Sequence, residues 1–270
     1  MGILIWQELY KIWNNKIVWL MIGLFASIYL FTTHTYYTWH SMMAWDRIAD
    51  FSYSSGSIFE GILILLALST SFSQEYQLKT DSIILSSKYG RNKLVTAKIL
   101  ASLSFITVLV LGFWILNITF NILMVGDIGW NLPIQSLQKY SSSPYAISIW
   151  QYCMIQIATN WLGCVAFGLF VLWLSVINRS YLVVFFVAGV VFATPFFIRN
   201  ISHFSIIWII KNASMTEFMR VENIFDSQRT VNWSEITIPL PYPIFYAYIL
   251  ALTIIFVGAI YRCFKTRQVR

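Results

Sequence analysis

Residues 73–98 read SQEYQLKTDSIILSSKYGRNKLVTAK, a polar island set between two long apolar runs. The island holds five of the chain's eighteen Lys and Arg residues: Lys79, Lys88, Arg91, Lys93 and Lys98. To either side, FEGILILLALSTSF and ILASLSFITVLVLGFWIL are each close to free of charge. Only two environments tolerate such an alternation, lipid for the runs and water for the island. Locating the other runs therefore gives the fold class.

Of the 270 residues, 58% are hydrophobic and 11% are charged. A soluble domain has about 45–50% apolar and about 25% charged residues. Twelve Trp, fifteen Tyr and twenty-one Phe suit wide belts at a membrane–water interface. Apolar segments fall at about 17–36, 56–73, 99–125, 146–177, 181–198 and 243–262. Each approaches the roughly 20 residues that one helical crossing needs. The expectation is an all-α polytopic membrane protein, one transmembrane unit over 1–270 with six transmembrane helices. The fourth segment is long enough to tilt. The fifth starts straight after Asn178-Arg179-Ser180, a tight hairpin, and Pro195 should kink or stop it.

Charge sets the orientation. With the N-terminus inside, the inner segments collect Lys11, Lys16, Lys79, Lys88, Arg91, Lys93, Lys98, Arg179, Arg262, Lys265, Arg267 and Arg270. The outer ones collect only Arg47, Lys139, Arg199, Lys211, Arg220 and Arg229, spread over longer loops. The positive-inside rule then places both termini inside, N-in and C-in. The net charge of +7 thus reads as topology signal and anionic-lipid contact, not as a surface for nucleic acid.

Residues 1–16 precede the first crossing. Ile5, Leu9, Ile12 and Trp13 recur at helical spacing, while Gln7, Glu8, Lys11 and Asn14 fall mostly elsewhere on the wheel. An interfacial elbow helix on the inner leaflet fits this better than an extended start of the first crossing, because Lys11, Asn14, Asn15 and Lys16 crowd one turn. Between the fifth and sixth runs, HFSIIWIIKNASM is too short to cross and reads as a re-entrant or interfacial helix. PLPYP then predicts an extended approach to the last helix.

Catalytic constellations are not legible. The chain has no G-x-x-x-x-G-K-[ST], H-E-x-x-H or G-x-S-x-G. His34, His40 and His203 have no partners at metal-ligand spacing. Cys153 and Cys164 lie about 16 Å apart along one helix, too far for a disulfide, and read as small packing residues. Within the apolar runs, Asn117 and Asn121 share one helix face, as do Gln156 and Asn160. These amides either line a cargo path or serve as interhelical hydrogen-bonding groups. Glu60 either faces protein at membrane depth or sits at headgroup level.

The island itself has an ordered pattern: Phe72-x-x-Glu75, Lys79-Thr80, Ile83-Ile84-Leu85, Lys88-Tyr89-Gly90-Arg91 and Ala97-Lys98. Together with a first helix carrying Glu8, it resembles the permease subunits of ABC-2 type transporters. Lys79 stands where that family has Gly, and the family's Pro before Arg91 is missing. The six-run layout and long last outer loop extend the resemblance along the chain.

The resemblance implies a bacterial plasma-membrane exporter in which two permease copies, identical or homologous, dock on separate ABC ATPase subunits. Those partner chains would hold ATP and Mg, and this chain would bind no cofactor and catalyse nothing. The island would be a cytoplasmic coupling helix, with Glu75, Tyr76, Leu78, Lys79, Thr80, Arg91 and Lys98 as its contacts and Glu8 and Lys11 on the elbow. Tyr76 and Leu78 offer apolar handles there, whereas a plain inner loop would need only its charge. Hydrophobic or antimicrobial peptides, or lipids, are the expected cargo. Two alternatives stay open: a non-transporting immunity or sensor protein that binds a peptide, and a membrane-embedded lipid-modifying enzyme.

Overall fold

The computed structural model describes residues 2–39, 43–78, 90–141, 143, 145–198, 214–220, 230–233, 236–239 and 242–266. Among them, five helical segments are long and apolar enough to cross a membrane: Lys16–Trp39, Ala44–Gln77, Asn92–Val125, Ile149–Ile177 and Tyr246–Thr266. Lipid offers no partner to backbone N–H and C=O groups, so apolar runs of this length close their hydrogen bonds internally as helices. The protein is a helical, multi-pass membrane protein.

The helices are α1 (Gly2–Trp13), α2 (Lys16–Trp39), α3 (Ala44–Phe51), α4 (Ser57–Leu68), α5 (Ser73–Gln77), α6 (Gly90–Val125), α7 (Ile149–Ile177), α8 (Tyr181–Ile198), α9 (Met215–Met219) and α10 (Tyr242–Thr266). A π turn, Ser52–Gly56, joins α3 to α4. Strands β1 (Thr230–Trp233) and β2 (Ile236–Pro239) form an antiparallel hairpin pairing Thr230 with Pro239 and Trp233 with Ile236. The extended approach expected before the last helix is therefore partly a paired ribbon.

The second and fourth crossings form the middle of the bundle, with 67% and 72% of their apolar windows buried against 22% for the first and last. Helix α7 packs on α4, α6, α8, α9 and α10. Its buried face includes Phe167, Val171 and Leu172, meeting Leu63, Ile64, Leu68 and Phe105 in one core. Ile17, Leu20, Phe31, Ile115, Phe186, Val190 and Ile254 point outward and are exposed. In lipid such side chains need no burial, so close packing and hydrogen bonds hold the helices together. Gly61 and Gly168 show how close: a Cβ would run into the Phe192 ring and Ile106 Cδ1, respectively.

Several boundaries differ from those read in the sequence. The second crossing begins at Ala44, not near residue 56, and takes in Asp46, Arg47 and Asp50. Those charges end the hydropathy run but not the helix, because each has a partner. Arg47 Nη1 lies 3.5 Å from Asp50 Oδ2, Lys139 Nζ lies 3.4 Å from Asp50 Oδ1, and Asp46 Oδ1 accepts from Gln138 N at 3.0 Å. Arg47, counted above with an outer loop, is thus a helix residue. The third helix starts at Gly90 instead of near residue 99. The fourth starts at Ile149, not 146, because Ser148 and Gln151 form a capping box, Ser148 Oγ accepting from Gln151 N at 3.3 Å and Gln151 Oε1 from Ser148 N at 3.0 Å. Gly126, at φ 97°, ends α6, its N–H bonding Ile122 O at 2.8 Å.

Pro195 does not stop α8, which continues to Ile198. It lies in the last turn, where a missing N–H removes only one late bond of the ladder. The second crossing is broken instead at Ser69–Phe72. There Ser175 Oγ of α7 accepts from Phe72 N at 3.0 Å and Ser73 N at 3.1 Å, and donates to Ser69 O at 3.1 Å. That hydroxyl supplies the partners the break leaves wanting.

Candidate functional site

Two polar clusters lie inside this apolar bundle. One joins α1, α5 and α6. Lys98, with a side chain 1% exposed, points its ammonium between two carboxylates: Glu8 Oε2 at 2.9 Å and Glu75 Oε1 at 2.8 Å. It also donates to Ser71 O at 2.7 Å and lies 4.9 Å from the Phe72 ring centroid. Lys11, exposed, caps the group from outside, 2.6 Å from Glu8 Oε1 and 3.2 Å from Glu75 Oε1. Two cations and two anions thus close a neutral clasp. Beside it a cleft of about 570 Å³ opens between α1 and the C-terminal end of the second crossing, lined in part by Tyr10, Asn15, Thr70 and Gln74.

The clasp turns one residue of the expected polar face of α1 inward. Glu8 is its one buried residue, whereas Ile3 and Trp6 are 71% and 70% exposed. Leu4, Ile12 and Trp13 still pack on the core, and Trp13 meets Phe105 edge-on at 5.3 Å. Burial pushes the Glu8 carboxyl up, but the charge of Lys98 and the hydrogen bond and charge of Lys11 outweigh it, so Glu8 stays below the ordinary glutamate range. Burial likewise works against the Lys11 ammonium, and Glu8 and then Glu75 hold it above the ordinary lysine value.

The residues of the polar island separate on this geometry. Glu75 and Lys98 come together with the α1 residues Glu8 and Lys11. Lys98 is enclosed and does not present itself to a partner chain. Tyr76 is half-buried against the core, leaving Leu78, 65% exposed, as the accessible apolar handle. Arg91 falls in the first turn of α6. Lys79 and Thr80 lie outside the described residues, as do residues 199–213, with most of the expected re-entrant segment, and His40 and His203.

The second cluster lies deep in the bundle. Since the second crossing starts at Ala44, Glu60 stands near its middle and is 0% exposed. Its Oε2 accepts from Asn160 Nδ2 at 2.8 Å and lies 3.5 Å from Cys164 Sγ. Asn160 also donates to Met219 O at 2.9 Å and accepts from Trp114 Nε1 at 3.0 Å. Glycine makes this approach possible: a Cβ on Gly163 would stand 2.6 Å from Met219 N. Arg220, just after α9, lies 4.3 Å from the Tyr53 ring centroid and donates to Tyr53 O at 3.2 Å.

The other amide pair does different work. Asn117 Oδ1 accepts from Tyr29 OH at 2.5 Å and from Asn121 Nδ2 at 2.8 Å, and Tyr37 OH donates to Asn121 Oδ1 at 2.6 Å. Asn117 Nδ2 reaches Ile48 O at 3.3 Å. Both amides are 0% exposed, so they join α2, α3 and α6 instead of opening on a cavity. Gln156 Nε2 similarly bonds Ala49 O and Tyr152 OH, both at 2.8 Å.

Sequence reading passed over Trp114, Ser175 and Met219, and took Cys164 as a small packing residue. Only Cys164 had a legible signal, since it extends the i, i+4 series of Gln156 and Asn160. No protein-family model matches the chain, and no curated protein is similar to it at a significant level.

Proposed function

We propose that the chain is the membrane-spanning permease subunit of an ATP-driven exporter of the ABC-2 type. It crosses the bacterial plasma membrane six times with both termini inside, α8 completing the count, and α1 lies as an elbow on the inner leaflet. It works as a pair of permease subunits on separate ATPase subunits that hold ATP and Mg. The cargo is hydrophobic or amphipathic, a peptide or a lipid.

One observation carries this reading: the Lys98 clasp. It ties the N-terminal helix to the end of the second crossing and the start of the third, the two segments that flank the polar island. A push delivered to the island would reach both crossings and α1 together, because three ionic contacts, Lys98 to Glu8, Lys98 to Glu75 and Lys11 to Glu75, join the three elements. A loop whose charge served topology alone would have no use for that connection.

The test is co-purification with the ATPase encoded beside this chain. Leu78→Asp changes an exposed handle outside the clasp, and Arg91→Ala changes the first turn of α6. Both should weaken ATPase recovery and lower the ATPase activity of the complex while the permease stays folded. If no ATPase co-purifies with the wild-type chain, the exporter reading is wrong. If both variants retain full recovery and activity, the island is not the coupling element.

A further inference from the structure

The facing sides of α4 and α7 hold more polar atoms than their mutual hydrogen bonds use. The two helices run side by side in the same direction: Gln156 meets Ala49, Asn160 meets Glu60, and Ser175 meets Ser73. Along this seam Ser52 Oγ, Ser57 Oγ, Glu60 Oε1 and Gln156 Oε1 are buried and have no hydrogen-bond partner among the described residues. All four residues are 0% exposed.

The π turn aligns them. In a continuous α-helix, positions five apart are about 140° out of line at ~3.6 residues per turn. A π turn bonds i to i+5, which brings Ser52 and Ser57 onto one side. Glu60 follows three residues later on the α-helical face of Ser57. Opposite them Gln156, Asn160 and Cys164 repeat every fourth residue of α7. The irregular turn thus assembles a polar line leading from the Ala44 end of the bundle to a buried carboxyl.

Among the described residues no cation is paired with that carboxyl. Cys164 of α7 lies 3.5 Å from Oε2, and Tyr29 of α2, Tyr53 of the π turn, and Glu217 and Arg220 of α9 and its C-cap belong to elements that pack on α4. Helix α6 offers the neutral Trp114, and α8 offers Phe192 over Gly61. Arg220 is directed to Tyr53 O and stacks against Tyr53 and Phe196. The ion pairs of the described residues join Glu8, Lys11, Glu75 and Lys98 or Arg47, Asp50 and Lys139, and none includes Glu60. An isolated ionised carboxylate is far costlier to bury than its neutral acid, which needs only one acceptor for its O–H. The seam is closed in this structure, since none of the four residues has accessible surface, so water reaches these oxygens only when the two helices part.

We propose that Glu60 is a proton-binding site inside the bundle, a carboxylic acid at neutral pH whose proton sits on Oε1 and exchanges past Ser57, Ser52 and Gln156 when the seam opens to water. In the exchange step the Oε1–H bond breaks, the proton passes to a water molecule admitted by that opening, and the electron pair remains on the carboxylate. The other oxygen keeps its bond from Asn160, whose second amide hydrogen holds Met219 O. Proton occupancy is thereby linked to the seating of α9. This inference does not depend on the exporter reading, since it concerns only the chain's own side chains.

Infrared spectroscopy of the purified chain in lipid nanodiscs tests it. At neutral pH the wild type should show a protonated-carboxyl C=O band that Glu60→Gln loses and Glu60→Asp shifts. Because Asp keeps an acid, the pair of variants separates loss of the acid from loss of the fold. On transfer to D2O the band should move down, and more slowly in Ser57→Ala. A Glu60→Gln spectrum that superimposes on the wild type in this region overturns the site. A wild-type band that never exchanges, or exchanges equally fast in Ser57→Ala, overturns the seam.

Discussion

Replacing Lys98 by alanine removes the one cation enclosed by the clasp and leaves Glu8 and Glu75 facing each other, with side chains only 8% and 14% exposed. The site changes from two charges of each sign to two anions and one cation. Taking one partner from a buried ionic group typically costs about 3–5 kcal/mol, mostly because the remaining charge is stranded. Lys11 softens the loss, since it stays 2.6 Å from Glu8 and 3.2 Å from Glu75, but its exposed ammonium is screened by water. The lost donor to Ser71 O adds to the damage. We expect a loss near the lower end, about 3 kcal/mol. The assay is SDS-titrated unfolding in mixed micelles followed by far-ultraviolet circular dichroism. Glu8→Gln introduced beside Lys98→Ala removes one stranded charge, so the double variant should recover about 1–2 kcal/mol relative to additivity. A Lys98→Ala loss below about 1 kcal/mol, or additivity within about 0.5 kcal/mol, would refute the clasp as a coupled unit.

Stability should also depend on pH through the same group. Glu8 titrates below its unfolded-state value, so its contribution is complete above about pH 4.3 and is lost as pH falls below that. Lys11 titrates above its unfolded-state value, so its contribution is complete below about pH 10.4 and is lost as pH rises past it; Glu8→Gln should flatten the acid limb of the unfolding profile. Gly163→Ala puts a methyl against backbone atoms of Phe218 and Met219, which cannot turn aside as a side chain could. The expected cost is about 1–3 kcal/mol, with faster proteolysis around α9. Ser175→Ala leaves the Phe72 and Ser73 N–H groups without their acceptor and should cost about 1–3 kcal/mol, read as a lower thermal midpoint.

How far each feature could be read depends on the range of the interaction that makes it. Apolar runs and their helical state are local properties, since lipid forces backbone groups to pair within a segment. The crossings at 16–39 and 149–177 are therefore visible within a few residues, the second helped by Ser148 and Gln151. The Ala44 start was hidden because hydropathy counts Asp46, Arg47 and Asp50 against a crossing, and only folding brings Lys139 and Gln138 to them. The apolar side of α1, with Ile12 and Trp13 on the core, was legible as a pattern, but the burial of Glu8 was not. Glu8 turns inward to meet Lys98, ninety residues away.

The sequence by itself determined that this is a multi-pass membrane chain with a charged segment between its second and third apolar runs. Composition and period suffice for that, because both act along a single helix. The tertiary structure decided that Lys98 is a buried tie between Glu8 and Glu75 instead of a surface charge. It also decided that Glu60 lies enclosed between two central helices with one oxygen unpaired. A lysine or glutamate in an apolar run has the same sequence signature whether it meets water, lipid or a partner. Its surroundings are settled only when distant helices pack, and those surroundings set its charge and its work.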